Sequence, residues 1–226
     1  SDLKPIFLST GASSLLEIET AYKTIKKINS ELPICIMHCT LCYPTRSKNA
    51  NLSALNDIAL NFPDCILGLS DHTIGPLIPA SSILYGVKAI EKHYTYDNSL
   101  PDSADHWLSI NEDGLKEMVS MLRTLEQAKG NGFKAVLPCE EIARKNARRS
   151  LVTNGAIKKG EKFNEKNIIA KRPGTGISPL HYDELLGLTC AENLEDDQLI
   201  QPNHIKEDAS FKPITEEMVL NKSKNL

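Results

Sequence analysis

The sequence predicts an α/β protein in which a parallel sheet covered by helices is followed by a smaller, mostly β unit. Three observations predict it. Over residues 1–128 short apolar runs alternate with helical patterns. Those runs are near-continuously apolar instead of alternating, as expected of strands buried on both faces. Beyond residue 146 the helical period gives way to short apolar segments broken by Gly- and Pro-rich turns.

The first strand is Ile6-Phe7-Leu8, bounded by Pro5 and Gly11. Ser14-Leu15-Leu16-Glu17 is a capping box, and Leu15, Ile18, Tyr22, Ile25 and Ile28 recur at steps of three and four, which marks a helix with one buried stripe. The unit repeats with a strand from Ile34 to His38 and a helix carrying Leu52, Leu55, Ala59 and Phe62 behind Asn51. It repeats again from Cys65 to Leu69 into a helix led by Pro76, and from Lys88 to Tyr94 into a helix holding Leu115, Met118, Leu122 and Leu125 that stops near Gly130. Gly-Asn-Gly, Pro138 and a run of charges read as a linker over 129–146. Arg149 to Val152, the turn Ile157 to Glu161, and Ile168 to Ile177 make up the small unit over 147–208, and 209–226 reads as a polar, loosely ordered tail.

Composition excludes several functions. Lys and Arg number 26 against 29 Asp and Glu, a net charge of −3, which argues against a nucleic-acid partner. No apolar run is long enough to span a bilayer, so no membrane partner is expected. No leader is read at the start, so the expected location is cytoplasmic. The six cysteines are spread over a chain too large to need stapling and read as reduced thiols. Cys35, His38, Cys39 and Cys42 invite a zinc reading, but their run opens as an apolar strand and has no second ligand pair downstream.

In a parallel sheet of this kind, chemistry collects at the carboxyl ends of the strands. Here those ends carry Ser9-Thr10-Gly11, His38-Cys39-Thr40, Ser70-Asp71-His72-Thr73 and Glu91-Lys92-His93. Helix capping accounts for Ser9 and Thr73. It accounts poorly for His72, His93 and Glu91 at neighbouring ends. Two imidazoles on adjacent strands could meet one ion and leave positions open for substrate. Glu91 and His93 are two apart and share a strand face, which would put a carboxylate beside that ion, where it could orient a carbonyl or move a proton. The other reading of Glu91 is a core carboxylate paired with a lysine.

The strings KPIFLSTG, HCTLCYPT, GLSDHTIG, EKHYT, RRSLV followed by IKKGE, and KRPGTGISP stand in the order found in sialic acid synthases, and the resemblance runs from about Lys4 to about Ile205. It implies an eight-stranded β/α barrel, which takes ~250 residues when complete, joined to an antifreeze-like (SAF) domain. With four β/α units, the chain corresponds to the second half of such a partial TIM-type barrel (1–128), the linker, and the SAF domain. The implied reaction condenses phosphoenolpyruvate with an N-acetylated hexosamine such as N-acetylmannosamine, giving a nonulosonic acid and phosphate. The implied metal is manganese, with cobalt or magnesium as substitutes, held by His72 and His93, with Glu91 catalytic.

The same resemblance assigns Ser9 and Ser70 to phosphoenolpyruvate. The family's Pro-Asp-His stretch is drawn out here as Pro101-Asp102-Ser103-Ala104-Asp105-His106, which leaves Asp102 and Asp105 as candidates for the matching acid, with Asp105 the better match. The resemblance also implies that Arg172 reaches across a domain-swapped homodimer to the N-acetyl group of the sugar in the partner's barrel. Leu41 stands where the family often has a polar residue. The lysines that clamp the phosphate belong to strands preceding these, so the chain alone is expected to hold half an anion site. Two alternatives stand beside this function: a synthase for legionaminic or pseudaminic acid, and a non-catalytic carbohydrate-binding or interaction protein carrying an SAF domain.

Overall fold

The computed structural model describes residues 4–206 and 211–214, and the chain divides after Gly132 into two units. The 209–226 tail lies outside the described residues except for 211–214.

The first unit holds four parallel strands in the order β1 (Ile6–Ser9), β2 (Ile34–Cys39), β3 (Ile66–Asp71), β4 (Ala89–Lys92). Spatial order equals chain order, so there is no switch point at which helices would change sides. Helices α1 (Leu15–Ile28) and α2 (Ala54–Asn61) lie on one face, where Ile18, Leu55 and Ile58 pack with Ile34, Ile36, Leu67 and Leu69 around one core. On the opposite face Phe7 and Ile66 are 59% and 43% exposed. A sheet of sequential parallel strands with helices on a single side is the curl of a β/α barrel.

The capping box forms as the sequence predicts: the Ser14 backbone N–H donates to Glu17 Oε2 at 2.8 Å, and the Glu17 N–H donates back to Ser14 Oγ at 3.4 Å. The Ser14 hydroxyl and N–H together hold the Glu17 carboxyl below its ordinary range. The third helix is shorter than predicted. Pro76 leads only α3 (Leu77–Ser81), and the chain continues as a 3-10 turn over Ser82–Tyr85. Helix α4 (Glu112–Lys129) opens on Asn111, whose side chain accepts from the Gly114 N–H at 3.0 Å, and ends where Gly130 takes a φ of 60°. Its Met118 packs with Ala80 and Ile110, flanked by Met121, Leu122 and Leu125.

In the second unit, helix α5 (Glu141–Ala147) falls inside the stretch that the sequence reads as a linker. Strands β5 (Ser150–Thr153) and β6 (Ile168–Lys171) pair antiparallel. The rest of the β character is isolated bridges, such as Ile157 to Leu194 and Cys190 to Ile205. Leu151, Ile157, Phe163, Ile177, Leu185 and Ile200 form the centre of its core, and helix α6 (Tyr182–Leu185) supplies Leu185. The polar, loosely ordered tail expected over 209–226 is corrected for residues 211–214: Phe211 packs on this core, its ring 6.0 Å from that of His181, and the Ile214 N–H donates to His181 Nε2 at 2.9 Å.

The glycines of KRPGTGISP have a packing reason. A Cβ on Gly176 would lie 2.7 Å from the Ile200 carbonyl oxygen and 3.2 Å from Ser150 Cβ. The backbone oxygen cannot rotate away, so Gly176→Ala is expected to cost ~1–3 kcal/mol, the range of overpacking, measured as a lowered unfolding midpoint. An unchanged midpoint would show that this turn yields freely.

Candidate active site

Register builds the site. Cys39 pairs with Ser70, and Ser70 with Glu91, so these three share the sheet face opposite the helices, at the carboxyl ends of β2, β3 and β4. One layer below, Ser9, Met37, Gly68 and Ala89 are register partners. This layer needs Gly68: a Cβ there would collide with Met37 Sδ and meet Cys35 Sγ at 3.0 Å. The Met37 thioether thus occupies the space above Gly68 and forms an apolar floor.

His72 and His93 follow β3 and β4 on the same face, their ring centroids 5.3 Å apart at 69°. His72 is 5% exposed, and its Nδ1 lies 3.0 Å from the Thr40 carbonyl oxygen. A carbonyl only accepts, so this contact makes Nδ1 the donor and leaves the lone pair of a neutral ring on Nε2, the arrangement found when a backbone carbonyl orients a metal-binding imidazole. His93 Nδ1 lies 3.8 Å from Asp105 Oδ2, within ion-pair range but beyond a hydrogen bond. Of the two acids in the Pro101 to His106 stretch, Asp105 faces His93, while Asp102 pairs with His106 Nε2 at 3.1 Å.

Glu91 Oε1 accepts a 2.6 Å hydrogen bond from Ser70 Oγ. The lysine-paired carboxylate considered for Glu91 belongs instead to Asp71, whose Oδ2 lies 2.7 Å from Lys92 Nζ on the helix side of the sheet. The pleat puts Lys92 and Glu91 on opposite faces.

Sequence reasoning missed Tyr43. Its ring centroid lies 4.2 Å from that of His72 and 5.6 Å from that of His93. Burial first, then the neighbouring Cys39 and the carboxylates of Asp105 and Glu91, push its phenol above the ordinary value. Its position in the HCTLCYPT string was the available signal. Burial also pushes the Cys39 thiol up, against a Ser70 hydrogen bond and reinforced by Glu91 and Asp71, so Cys39 is a thiol and not a ready nucleophile.

Ser9 is exposed at the end of β1, and Leu41 is 60% exposed. Within β2, His38 lies on the far face, where its Nε2 donates to the Ala50 carbonyl at 2.9 Å, so the strand's alternation separates it from Cys35 and Cys39. Arg172 belongs to the second unit, where it is exposed and its Nε donates to the Ala147 carbonyl at 3.1 Å.

His72 and His93 are the residues that would hold a divalent ion. Among the described residues no group of three or more His, Cys, Asp or Glu is arranged to hold a metal. Two imidazoles at this separation, one with its Nε2 lone pair free, would leave the other coordination positions to water and substrate, as an open Lewis-acid site requires. All six cysteines are free, and among the described residues no helix is long and apolar enough to cross a membrane.

A sequential parallel β/α sheet with imidazoles and a carboxylate at its carboxyl ends, followed by a separate small unit, defines a barrel-type β/α module joined to a second domain. The chain belongs to the NeuB family, whose model matches residues 1–134, and residues 148–206 match the SAF domain. It is 37% identical over 199 residues to an N,N'-diacetyllegionaminic acid synthase from Campylobacter jejuni, covering 88% of this chain and 59% of that one. Among solved structures it resembles the Bacillus subtilis spore coat polysaccharide biosynthesis protein SpsE (TM-score 0.52, 32% identity, 91% of this chain and 62% of that one). It also resembles an N-acetylneuraminic acid synthetase from Leptospira borgpetersenii (TM-score 0.56, 32% identity, 62% and 47%). The chain spans less than two thirds of the length of these relatives.

Proposed function

We propose that this chain is part of a nonulosonic acid synthase that condenses phosphoenolpyruvate with an N-acetylated hexosamine in the cytoplasm. The observation that carries the reading is the Ser70-held Glu91 carboxylate on the same strand-end face as the paired rings of His72 and His93. In the reaction, C3 of phosphoenolpyruvate bonds to the aldehyde carbon of the open-chain sugar, water adds at C2, and phosphate leaves with C–O cleavage. A divalent ion, manganese first and cobalt or magnesium as substitutes, would polarise the aldehyde when bound by His72 and His93.

The chain's own groups supply the rest. Glu91 orients the aldehyde or moves the proton at its oxygen, and Ser70 fixes which carboxylate oxygen is free. Ser9 and Ser70 lie where hydroxyls would meet phosphoenolpyruvate, and Asp105 stands beside His93 to meet the sugar. With its Nε committed to Ala147, Arg172 keeps the terminal fork of its guanidinium for the acceptor's N-acetyl group, supplied across a domain-swapped homodimer. The similarity to the Campylobacter jejuni protein favours an amino-hexose precursor of legionaminic acid as the second acceptor to try.

The test is phosphate release by the full-length gene product that contains this chain, offered phosphoenolpyruvate with N-acetylmannosamine and, separately, with the amino-hexose precursors of legionaminic and pseudaminic acids. Sugar-dependent release, abolished by a chelator and restored by manganese, is expected. Sugar binding without release under any of these conditions would favour a non-catalytic carbohydrate-binding protein.

A further inference from the structure

A buried ion pair lies directly behind the two imidazoles. Asp71 and Lys92 are register partners across β3 and β4, and their side chains are only 3% and 5% exposed. Lys92 donates to Asp71 Oδ2 at 2.7 Å and also to the Thr73 carbonyl. Asp71 in turn accepts from the Thr73 N–H at 3.2 Å and the Thr73 hydroxyl at 2.9 Å. One ammonium therefore grips the residue before His72 and the residue after it, while its own residue immediately precedes His93. The pleat sends the ion pair to the helix side and both imidazoles to the site side.

Stability alone does not account for such a pair, because well-packed apolar residues of similar volume serve a core as well or better. A pair of fixed geometry adds register between the two strand ends instead. We propose that the Asp71–Lys92 pair, with Thr73, is a positioning device that sets the rings of His72 and His93 in their mutual arrangement. The inference deepens the reading of these histidines as a metal-holding pair, although its primary test needs no metal.

The test compares the whole chain with its Asp71→Asn/Lys92→Met variant, which removes both charges and keeps the approximate volumes. In the parent, imidazole nitrogen NMR should report a single Nδ1–H tautomer for His72, with ring-to-ring proton contacts among Tyr43, His72 and His93. In the variant, with far-UV circular dichroism unchanged, that tautomer should average and the contacts should disappear. Manganese should bind at least tenfold more weakly. An unchanged tautomer and unchanged ring contacts in the folded variant would overturn the proposal. If the parent binds no manganese yet the ring signals respond as expected, positioning stands and the metal reading falls. Should the double variant not fold, Lys92→Arg carries the same test: it keeps the charge but not the single nitrogen shared by Asp71 and Thr73, so the same loss of signals is expected and their persistence overturns the proposal.

Discussion

Glu91→Gln in the full-length gene product is expected to lower kcat by ~10²–10⁴-fold, the contribution of a positioned general acid or base. The substitution keeps the shape of the side chain and an oxygen that can accept from Ser70 Oγ, the partner now at 2.6 Å. It removes only the charge and the ability to take up a proton. Substrate binding should therefore change little, and the loss should fall on kcat more than on the Michaelis constant of either substrate. Steady-state kinetics with each substrate varied would check this. A variant with near-parental kcat would move the proton-transfer role away from Glu91.

The largest stability effect is expected from Lys92→Ala, at about 3–5 kcal/mol, because removing one partner of a buried pair strands the other charge. Asp71 would keep its two donors from Thr73 but lose the ammonium paired with it, in a place where its side chain is 3% exposed. Adding Asp71→Asn should recover much of the loss, since the stranded charge is then gone. Denaturant unfolding of the two variants and the parent would decide this. A loss below about 1 kcal/mol for Lys92→Ala would place the pair in the weak class of solvated ion pairs.

Much of the first unit was legible because local chemistry and the global fold agree there. Ser14 and Glu17 start a helix whose apolar stripe matches the sheet's helix-covered face, and the apolar strand residues Ile34, Ile36, Leu67 and Leu69 pack into the same core. The polar strand ends were legible too, as residue types that capping alone does not demand. What was not legible depends on separations no linear pattern carries. Asp105 and Asp102 differ in role because one meets His93 and the other His106, and Tyr43 reaches the histidines from a loop after a different strand. The partner of Lys92 could have been narrowed in advance: strand alternation already sets Lys92 and Glu91 on opposite faces. Helix α5 escaped notice because it is a short, charged segment with no buried residues, and hence no apolar stripe to betray its period.

The thioether floor has a consequence for descent. Because Met37 lies over Gly68 from the neighbouring strand, neither position is free to drift alone. A side chain acquired at 68 requires a smaller one at 37, and a shorter residue at 37 opens a hollow that a methyl group at 68 would fill. Aligned relatives should show the two sites changing together, with bulk on one strand traded for bulk on the other, while the Ser70 and Glu91 layer above stays at the same height.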